Sequence, residues 1–489
     1  MTRLKFLEDQ SLLNRRRTKI VATLGPASSD PDLIQVLIED GMNCARINAA
    51  HGTHEEHAEL IRIVRDRAQV VGRPVAVLYD LQGPKIRTQD GPGLPRKVKS
   101  GDEIDFVVRR DPVGEEIGVD HPLLDRDVRA GDALLIEDGS IETEVIDVSD
   151  GTVRCRVEND GVIEKRKGIN LPASVVSLPA LTDKDRDDAL FAVSQSVDVI
   201  ALSFVRRVGD VIELQELLAE AGGEIPIISK IEKPQALDDL GAIIDASWGV
   251  MVARGDLGVE LSPEEVPTVQ KRIIREANRR CRPVITATQM LESMTRNPRP
   301  TRAEASDVAN AVLDGTDAVM LSQETAMGKF PVESVRMMVR ILRTTEFYQK
   351  PTAADRRRDR GLRTTPEAVA DAAVQTASDL QAHAIVALTQ TGTSALLTAQ
   401  RRPSRQVVVF TTNERLCNLF ALTWGIRSYQ IEPVSTTDQL LAKLDDEMLK
   451  DGLASKGDTL VLVMGAPTHR MGPPNLMLVH NVGEWKPLE

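Results

Sequence analysis

Short apolar runs alternate with helical patterns along most of the chain, and this alternation restricts the folds that it can adopt. Each run has the length of a buried strand, and most are followed by a helical segment such as residues 54–67. Eight βα units in succession are typical of a TIM barrel, in which parallel strands close into a ring inside a shell of helices. The strands are predicted at residues 19–24, 43–48, 75–80, 198–204, 226–232, 248–253, 283–288 and 317–322.

A stretch with a different pattern interrupts the alternation between the third and fourth predicted strands. Residues 88–180 contain short strand patterns, few helical patterns and several Asp-Gly turns, such as the one at 138–139. This predicts a small β-barrel lid domain inserted into a loop of the TIM barrel. A second α/β pattern follows the barrel, beyond a basic stretch at 356–360 that we interpret as part of a linker. The expected domains are a barrel of residues 1–87 and 181–349 with a short N-terminal segment at 1–17, a lid of residues 88–180, and a C-terminal doubly wound α/β domain of residues 350–489.

Charge and composition narrow the classes of function. The 489 residues include 61 lysines and arginines against 73 aspartates and glutamates, and this formal charge of −12 disfavours a general nucleic-acid-binding protein. No apolar run approaches the ~20 residues of a membrane-spanning helix, and the N-terminus lacks the apolar core of a signal peptide. We therefore expect a cytoplasmic protein that contacts neither nucleic acid nor membrane. The four cysteines show no CxxC spacing, which favours reduced thiols over disulfides or a zinc site.

Two carboxylates lie at the ends of neighbouring predicted strands, where TIM barrels carry their reactive groups. Glu232 ends the fifth strand with Lys230 two residues earlier on the same face. Asp256 follows the sixth strand next to Gly255, where the backbone can come close to a ligand. Because carboxylate oxygens suit Mg²⁺, we predict a magnesium site made by Glu232 and Asp256, with Lys230 beside it. Taken singly, each of these residues is equally consistent with a surface ion pair or a solvated turn.

The remaining predicted strand ends are also polar. Cations, carboxylates and hydroxyl groups gathered at one rim suit phosphoryl transfer, in which catalysis consists mostly of positioning and of neutralising charge. Each of these residues alone is more often a structural ion pair or a helix cap. The strand-end residues are Arg46, Asn48, His51, Asp80, Lys85, Arg87, Ser203, Thr288, Ser322 and Glu324.

A series of longer motifs runs through the chain in a fixed order, and together they resemble the pyruvate kinase family nearly from end to end. The resemblance implies a TIM barrel, a lid inserted after the third strand and a C-terminal regulatory domain. It also implies a homotetramer that transfers the phosphoryl group of phosphoenolpyruvate to ADP, giving pyruvate and ATP. The motifs are TKIVATLGPAS (18–28), ARINAAHGTHE (45–55), DLQGPKIRT (80–88), KGINLP (167–172), SKIEKP (229–234), MVARGDLGVE (251–260), ITATQMLESM (285–294), PTRAE (300–304) and DGTDAVMLSQETA (314–326).

The resemblance implies a role for each matching residue. Glu232 and Asp256 correspond to the Mg²⁺ ligands, a site where Mn²⁺ is a possible substitute. Lys230 corresponds to the lysine that stabilises the transferring phosphoryl group and the enolate, whose negative charge requires positive neighbours. Arg46 corresponds to the arginine that binds the substrate phosphate.

Two further groups of residues match substrate contacts of the family. The backbone at Gly255 and Asp256 and the hydroxyl of Thr288 correspond to the cradle of the substrate carboxylate, and Thr288 lies near the face where the enolate is protonated. The family's contacts with the nucleotide phosphates correspond to Asn48, His51, Arg87 and, from the lid, Lys167.

The chain departs from the family at the monovalent-cation position. Many members bind K⁺ through an Asn, a Ser, an Asp and a backbone carbonyl. Asn48 and Asp80 are kept and Leu81 still offers its carbonyl, but Ala50 replaces the serine and Lys85 replaces a glutamate. We expect the ammonium of Lys85 to replace the ion, so that K⁺ is not required. The alternative is a solvent-facing lysine at the hinge of the lid.

A polar loop after the first strand of the C-terminal domain corresponds to the family's site for an effector phosphate. Its hydroxyls and backbone amides suit a phosphate at the start of a helix. Gln390 stands where a basic residue is common, and the second effector loop, 465–470, is divergent. We therefore expect a monophosphate, such as AMP or a sugar phosphate, rather than a bisphosphate; a capped helix without an effector is the alternative. The loop consists of Thr389, Gln390, Thr391, Gly392, Thr393 and Ser394.

Two other functions fit parts of this pattern. The first is another Mg²⁺-dependent barrel enzyme that forms an enolate, such as an aldolase or a lyase, which would need neither Arg87 nor a lid carrying Lys167. The second is a catalytically inactive metabolite sensor with the same fold, against which the intact Lys230, Glu232 and Asp256 argue.

Overall fold

The computed structural model describes residues 16–172, 177–348, 363–434, 436–466 and 472–484. The basic stretch at 356–360, the predicted boundary at 349–350 and residues 467–470 of the second effector loop lie outside the described residues.

The first part of the barrel consists of three parallel strands separated by two helices. Each helix begins where its sequence provides a cap: the Asp30 side chain accepts from two backbone amides of the first turn, and Thr53 forms a capping box with Glu56. The elements are β1 (Lys19–Thr23), α1 (Pro31–Asp40), β2 (Cys44–Asn48), α2 (His54–Val71) and β3 (Ala76–Asp80).

The lid follows β3 and has a hydrophobic core of its own. It contains a seven-stranded sheet in the order β4-β12-β8-β9-β10-β6-β7 and a two-stranded sheet, β11-β5. Its first and last strands pair with each other, Gly168 opposite Arg87, so both connections to the barrel lie side by side. The elements are β4 (Ile86–Arg87), β5 (Arg96–Val98), β6 (Glu103–Val107), β7 (Ile117–Gly118), α3 (Leu124–Asp127), β8 (Ala133–Ile136), β9 (Ile141–Ser149), β10 (Thr152–Val157), β11 (Gly161–Ile163) and β12 (Gly168–Asn170).

The chain then returns to the barrel and completes it. The last barrel strand pairs in parallel with β1, Ala318 opposite Lys19, which closes a ring of eight strands and confirms the predicted fold. The strands are buried except at polar residues near their ends, Arg46, Asn48 and Lys230, as expected when helices cover a parallel sheet. The elements are α4 (Asp183–Ser194), β13 (Val199–Leu202), α5 (Val208–Glu220), β14 (Ile227–Ile231), a 3₁₀ helix (Pro234–Leu237), α6 (Leu240–Ala246), β15 (Gly249–Ala253), α7 (Arg254–Glu260), α8 (Val266–Arg279), β16 (Val284–Ala287), a second 3₁₀ helix (Glu292–Thr295), α9 (Arg302–Asp314), β17 (Ala318–Leu321), α10 (Gln323–Ala326) and α11 (Pro331–Tyr348).

The C-terminal domain contains a five-stranded sheet in the order β20-β19-β18-β21-β22, of which only β22 is antiparallel to its neighbour. The strand order reverses at β18, and ligands of open α/β sheets bind beside such a reversal. The elements are α12 (Thr365–Asp379), β18 (Ala384–Leu388), α13 (Thr393–Ala399), β19 (Gln406–Thr411), α14 (Glu414–Phe420), β20 (Ile426–Gln430), α15 (Thr437–Lys450), β21 (Thr459–Met464) and β22 (Leu476–Asn481).

The C-terminal domain also closes the bottom of the barrel. Leu419 and Leu422 belong to the same buried cluster as the inward-facing strand residue Met251. The buried carboxylate of Asp317, at the start of β17, accepts from the backbone amide of Trp424 at 3.1 Å. The barrel interior is therefore a packed core, and its upper rim is left for chemistry. No helix among the described residues is both long and apolar enough to cross a bilayer.

Candidate active site

A buried ion cluster lies at the upper rim of the barrel, centred on the ammonium of Lys230 at the end of β14. Its Nζ lies 2.9 Å from Glu232 Oε1 and 3.4 Å from Asp80 Oδ1. It also donates a hydrogen bond to Ser203 Oγ at 2.7 Å. Side chains from the ends of three strands thus surround one cation, as the sequence predicts for the ends of TIM-barrel strands. Ser203 is the one member of this set to which the sequence assigns no role.

The charges in the cluster shift the pKa values of its members. Burial by itself lowers the pKa of Lys230, but Asp80 and Glu232 outweigh it and raise that pKa above its usual value. Burial by itself raises the pKa of Asp80, but Lys230 and Arg46 outweigh it and the pKa falls. Burial raises the pKa of Glu232 to about 6; Lys230 opposes this shift and Asp256 adds to it. Lys230 is therefore charged at any working pH, while Glu232 is fully ionised only above mild acidity.

Glu232 and Asp256 are the two carboxylates predicted to hold Mg²⁺. Glu232 Oε2 accepts from the backbone amide of Phe204 at 2.6 Å. Its buried Oε1 receives no hydrogen bond of acceptable geometry from the described residues, although the Lys230 ammonium is close. Asp256 lies in the first turn of α7 with its side chain 26% exposed, and its charge acts on both Glu232 and Lys230.

This donor set fits a partly hydrated magnesium ion. No group of three His, Cys, Asp or Glu side chains in the described parts of the chain is arranged to hold a metal. Mg²⁺ usually keeps several waters and takes one or two carboxylates together with substrate oxygens. An under-bonded oxygen on Glu232 and a partly exposed Asp256 meet that requirement.

Arg46, at the end of β2, is held against the same cluster. Its Nε lies 2.6 Å from Asp80 Oδ2, and its Nη1 donates to Thr23 Oγ1 at 3.0 Å. The side chain is 12% exposed. Thr23 comes from the end of β1 and is a contact that the strand-end pattern does not reveal.

Thr288, after β16, adopts a strained backbone next to Gly255. Its φ is 67°, and the following Gln289 has a φ of 52°, in a region that residues other than glycine rarely adopt. The Thr288 hydroxyl accepts from the Gly255 amide at 2.7 Å and donates to the Ala287 carbonyl at 2.6 Å. The structure thus brings together the hydroxyl and the backbone amide that the sequence assigns to one carboxylate cradle.

Arg254 supports this turn, and the sequence reasoning did not identify it. Its Nη2 donates to the Thr288 carbonyl at 2.7 Å, and its Nε donates to the Ala287 carbonyl at 3.3 Å. Its Nη1 pairs with Asp307 at 2.6 Å. The planar guanidinium therefore fixes the conformation that points the Thr288 hydroxyl at Gly255.

The residues predicted to contact the nucleotide do not gather in the same way. Lys167 pairs with two carboxylates of the lid, Glu137 at 2.5 Å and Glu164 at 3.2 Å, and the hydrogen bond that it donates to Glu137 raises the pKa of Lys167. The Asn48 side chain accepts from the Ala50 amide at 3.2 Å.

His51 is held through its main chain, whereas Arg87 is held through its main chain and through its side chain, which donates from Nη1 to the Lys85 carbonyl at 3.4 Å. The carbonyl of His51 lies 2.7 Å from Nε2 of His57. The backbone amide of Arg87 donates to Asp120 Oδ1 at 2.7 Å. None of these contacts reaches the Lys230 cluster.

Lys85 bridges the lid and the barrel. Its Nζ lies 3.3 Å from Asp138 Oδ1 in the lid and 3.8 Å from Asp256 Oδ1 in the barrel. The side chain is 25% exposed and packs on Gly168, where an added Cβ would lie 2.6 Å from Lys85 Cε. The ammonium faces a predicted metal ligand and not Asp80. The Leu81 carbonyl, the third group of the monovalent-cation position, accepts from Ser203 Oγ at 2.7 Å.

The predicted effector loop lines a pocket at the strand-order reversal of the C-terminal domain. The Gly392 amide donates to Thr389 Oγ1 at 2.9 Å, and Thr412 Oγ1 donates to Gln390 Oε1 at 2.5 Å. Thr391 and Thr393 share a hydroxyl contact at 3.1 Å. The pocket is lined by Leu388, Thr389, Gln390, Thr391, Phe410, Thr412, Ile431, Glu432, Pro433, Val434, Leu440, Met464, Gly465 and Gly472.

Comparison with known proteins places this site in a family. A model of the pyruvate kinase barrel domain matches residues 15–335, and a model of the pyruvate kinase alpha/beta domain matches residues 367–480. The chain belongs to the pyruvate kinase family. It is 44% identical to the pyruvate kinase of Geobacillus stearothermophilus and 43% identical to that of Sporosarcina psychrophila, in each case over 96% of this chain and 81% of the relative. It also resembles the crystal structure of a pyruvate kinase from Cryptosporidium parvum, with a TM-score of 0.92, 35% identity and coverage of 97% and 98% of the two chains.

Family membership makes the chain a phosphotransferase of the pyruvate kinase type, as the motifs predicted. Pyruvate kinases act on phosphoenolpyruvate and ADP, and they generally use Mg²⁺ and usually K⁺. This answers the first alternative from the sequence, an unrelated enolate-forming aldolase or lyase.

The contact between Arg254 and the Thr288 turn generates a test. In Arg254→Lys, a single ammonium replaces the guanidinium that donates to two carbonyls. The turn then loses its support, while Asp307 still has a cation as its partner. We expect kcat/KM for phosphoenolpyruvate to fall by about 10- to 100-fold, because small misplacements of substrate-binding groups are costly. Arg272→Lys, at an exposed arginine with one bond to the Leu237 carbonyl, is the matched control. Unchanged kcat/KM in Arg254→Lys would contradict a role of the guanidinium in holding the Thr288 turn.

Proposed function

We propose that catalysis of the pyruvate kinase reaction by this chain depends on Mg²⁺ held by Glu232 and Asp256, with Lys230 as the central catalytic cation. The observation that carries this proposal is the position of the Lys230 ammonium, 2.9 Å from Glu232 and 3.4 Å from Asp80 in a buried setting. Bound between the carboxylates, the metal would neutralise charge on the phosphoryl group and on the enolate oxygen.

The chain's own residues supply the remaining positive charge and the orientation. Arg46 is fixed by Asp80 and Thr23 through Nε and Nη1, which leaves Nη2 for a phosphate oxygen. Lys230 would stabilise the phosphoryl group in transit and then the enolate, since its raised pKa keeps it protonated. The Gly255 amide and the Thr288 hydroxyl, 2.7 Å apart, would exchange their mutual bond for bonds to the substrate carboxylate.

The lid provides the nucleotide side of the proposed site. Asn48 ends β2 and His51 follows it, whereas Arg87 ends β4 and Lys167 immediately precedes β12. We propose that Lys167 leaves Glu137 and Glu164 when a nucleotide polyphosphate offers a stronger anionic partner. Movement of the lid would at the same time exclude water from the transferring group.

Lys230→Met tests the catalytic proposal. The substitution keeps a similar volume but removes the cation between Asp80 and Glu232, so we expect turnover to fall by about 1,000-fold or more. The measurement is ADP-dependent formation of pyruvate from phosphoenolpyruvate in a coupled assay, with and without Mg²⁺. Lys329→Met, at an exposed lysine after β17, is the control for loss of a charge. Unchanged turnover in Lys230→Met would refute the role, and wild-type protein without turnover would favour the inactive-sensor alternative.

We also propose that Lys85 replaces K⁺. Its ammonium lies 3.8 Å from Asp256 and its side chain is 25% exposed, a position that supports a role in the site more than one as a solvent-facing hinge lysine. A monovalent cation near the metal ligands would offset the same negative charge that Lys85 offsets here. The hydroxyl ligand that Ala50 lacks would then have no function to perform.

The potassium proposal predicts equal turnover in K⁺ and in tetramethylammonium at matched ionic strength. Lys85→Gln should lower kcat by about 10-fold or more, because one positive charge is lost from a partly desolvated site. Asp138→Asn, which removes only the lid partner of Lys85, is the control and should change kcat little, since Asp138 is 67% exposed. A large activation of the wild type by K⁺ would rule the proposal out.

We propose that the C-terminal pocket binds the phosphate of a monophosphate activator, such as AMP or a sugar phosphate. Three threonines, Thr389, Thr391 and Thr412, line the pocket and offer hydroxyl groups beside β18, where the strand order reverses. Among the described lining residues the charged side chain is the carboxylate of Glu432, which disfavours a ligand with two phosphates at this position.

A thermal-shift screen with phosphorylated metabolites tests the effector proposal. We expect a monophosphate at 100 times its Kd to raise the free energy of unfolding by about 2.7 kcal/mol through linkage. Thr391→Val should abolish the shift because it removes a donor without changing volume, whereas Thr376→Val, on the neighbouring helix α12, should not. Failure of every monophosphate to shift the wild type would leave the loop as a simple helix cap.

We also propose three domains and a homotetrameric assembly. The domains are a barrel of residues 1–87 and 181–349, a lid of residues 88–180 and a C-terminal domain of residues 350–489. The limits are supported by the separate hydrophobic clusters of barrel, lid and C-terminal sheet. The assembly rests on the family resemblance.

A further inference from the structure

A second buried ion pair lies below the proposed metal ligands, at the base of the lid. Lys233 Nζ lies 2.5 Å from Glu260 Oε1, and the Glu260 side chain is 0% exposed. The same oxygen accepts a hydrogen bond from Asn170 Nδ2 at 2.9 Å. We refer to Asn170, Lys233 and Glu260 as the lid junction.

The three residues of the lid junction lead to three parts of the site. Asn170 ends β12, the last strand of the lid, three residues after Lys167. Lys233 directly follows Glu232. Glu260 ends α7, four residues after Asp256, a spacing that places the two carboxylates on one side of the helix. One buried carboxylate therefore connects the lid to both segments that carry the proposed metal ligands.

The lid junction differs from the bridge that Lys85 forms between lid and barrel. The bridge from Lys85 to Asp138 involves an exposed carboxylate at 3.3 Å, and such pairs are weak. The Glu260 side chain is fully buried in its ion pair, so the loss of either of its partners leaves a group in the interior that is poorly compensated. The lid is thus tied more firmly at its base than at its tip.

The lid junction also contains polar atoms that are not used. Glu260 Oε2 and Asn170 Oδ1 are buried and have no hydrogen-bond partner among the described residues. A cluster that served only to stabilise the fold would be expected to satisfy such atoms. These two unpaired acceptors, at the base of the lid, would allow the hydrogen bonds of the lid junction to be exchanged when the lid moves. Gly83, just before the lid, is close to the lid junction, because an added Cβ at Gly83 would lie 2.7 Å from the Phe204 ring, and that ring faces the Lys233 ammonium at 6.0 Å.

We propose that Glu260 is a positioning residue that couples the orientation of the lid to the placement of Glu232 and Asp256. When the lid turns about its base, Asn170 pulls on Glu260, and Glu260 transmits the displacement along α7 to Asp256 and through Lys233 to Glu232. The inference rests on the proposed function, since it takes Glu232 and Asp256 as metal ligands and Lys167 as a nucleotide contact. Its consequence is that binding of nucleotide under the lid and binding of metal at the rim depend on each other.

Asn170→Ser tests the lid side of the coupling. The substitution removes the amide that reaches Glu260 but leaves the ion pair between Lys233 and Glu260 in place. We expect KM for ADP and the half-saturating concentration of Mg²⁺ to rise together by about 5-fold or more, whereas kcat should change less. Part of the binding energy of each ligand would then be used to restore the alignment of the lid, so both bind more weakly. Amide exchange in β4 and β12, measured by hydrogen–deuterium exchange, should become faster.

The double variant Lys233→Met/Glu260→Met separates positioning from stability. Replacing a buried ion pair with apolar residues of similar volume is often neutral for stability, so we expect a melting temperature close to that of the wild type. The rise in KM for ADP and in the Mg²⁺ requirement should nevertheless persist. The control is Asp125→Asn, which loosens the Arg109–Asp125 pair inside the lid without touching the three residues of the lid junction, and should leave both constants unchanged.

The outcomes of these experiments are distinct. Wild-type constants in a stable double variant, or in Asn170→Ser, would overturn the coupling. A double variant that fails to fold leaves Asn170→Ser and its exchange rates as the deciding measurement. If Lys230→Met is inactive while both lid-junction variants behave as the wild type, the coupling fails and the proposed function stands. If Lys230→Met keeps full turnover, the proposed function itself fails.

Discussion

Parallel pairing between β1 and β17 is the constraint on which the site depends. It closes the ring, and closure forces the carboxyl ends of all eight strands onto one rim. Arg46 and Lys230, which are far apart in the chain, meet there through Asp80. The packing of Leu419 and Leu422 against the bottom of the ring fills the opposite opening. A polar cluster is therefore possible at one end because the other end is a hydrophobic core.

Charge burial at the rim sets the chemical character of the site. A lone ammonium at the depth of Lys230 would lose its proton readily, since desolvation disfavours the charged form. Two carboxylates within 3.4 Å reverse that tendency. The same desolvation acts on Glu232 and raises its pKa to about 6. Lys230 therefore stays protonated, whereas Glu232 is only partly ionised in mildly acidic solution. A divalent cation bound beside Glu232 would favour its ionised form.

The sequence predicted the parts of the site that depend on strand ends and missed those that depend on how separate elements meet. Position at a strand end and the family motifs were enough to place Lys230 and Glu232 together. Arg254 lies inside a motif, yet its partner Asp307 is 53 residues away on another helix. Lys85 was expected near Asp80 but turns toward Asp256, because the orientation of the lid decides its neighbours. The pairing of Lys167 with Glu137 depends on the lid in the same way. Such contacts follow from tertiary packing and leave no local pattern.

Lys85 changes the balance of formal charge at the rim of the barrel. Without Lys85, the cations Arg46 and Lys230 face three carboxylates, and the site carries one excess negative charge toward an anionic substrate. With Lys85 beside Asp256, three cations face three carboxylates. The lysine adds the same single charge as a bound K⁺, but it is covalently attached and its position depends on the packing of its stem against Gly168 of the lid. A bound ion exchanges with the solvent, whereas this charge is part of the chain. Loss of K⁺ dependence would then follow from this one substitution, while coupling of the rim to the lid would depend on Glu260 and its partners Asn170 and Lys233.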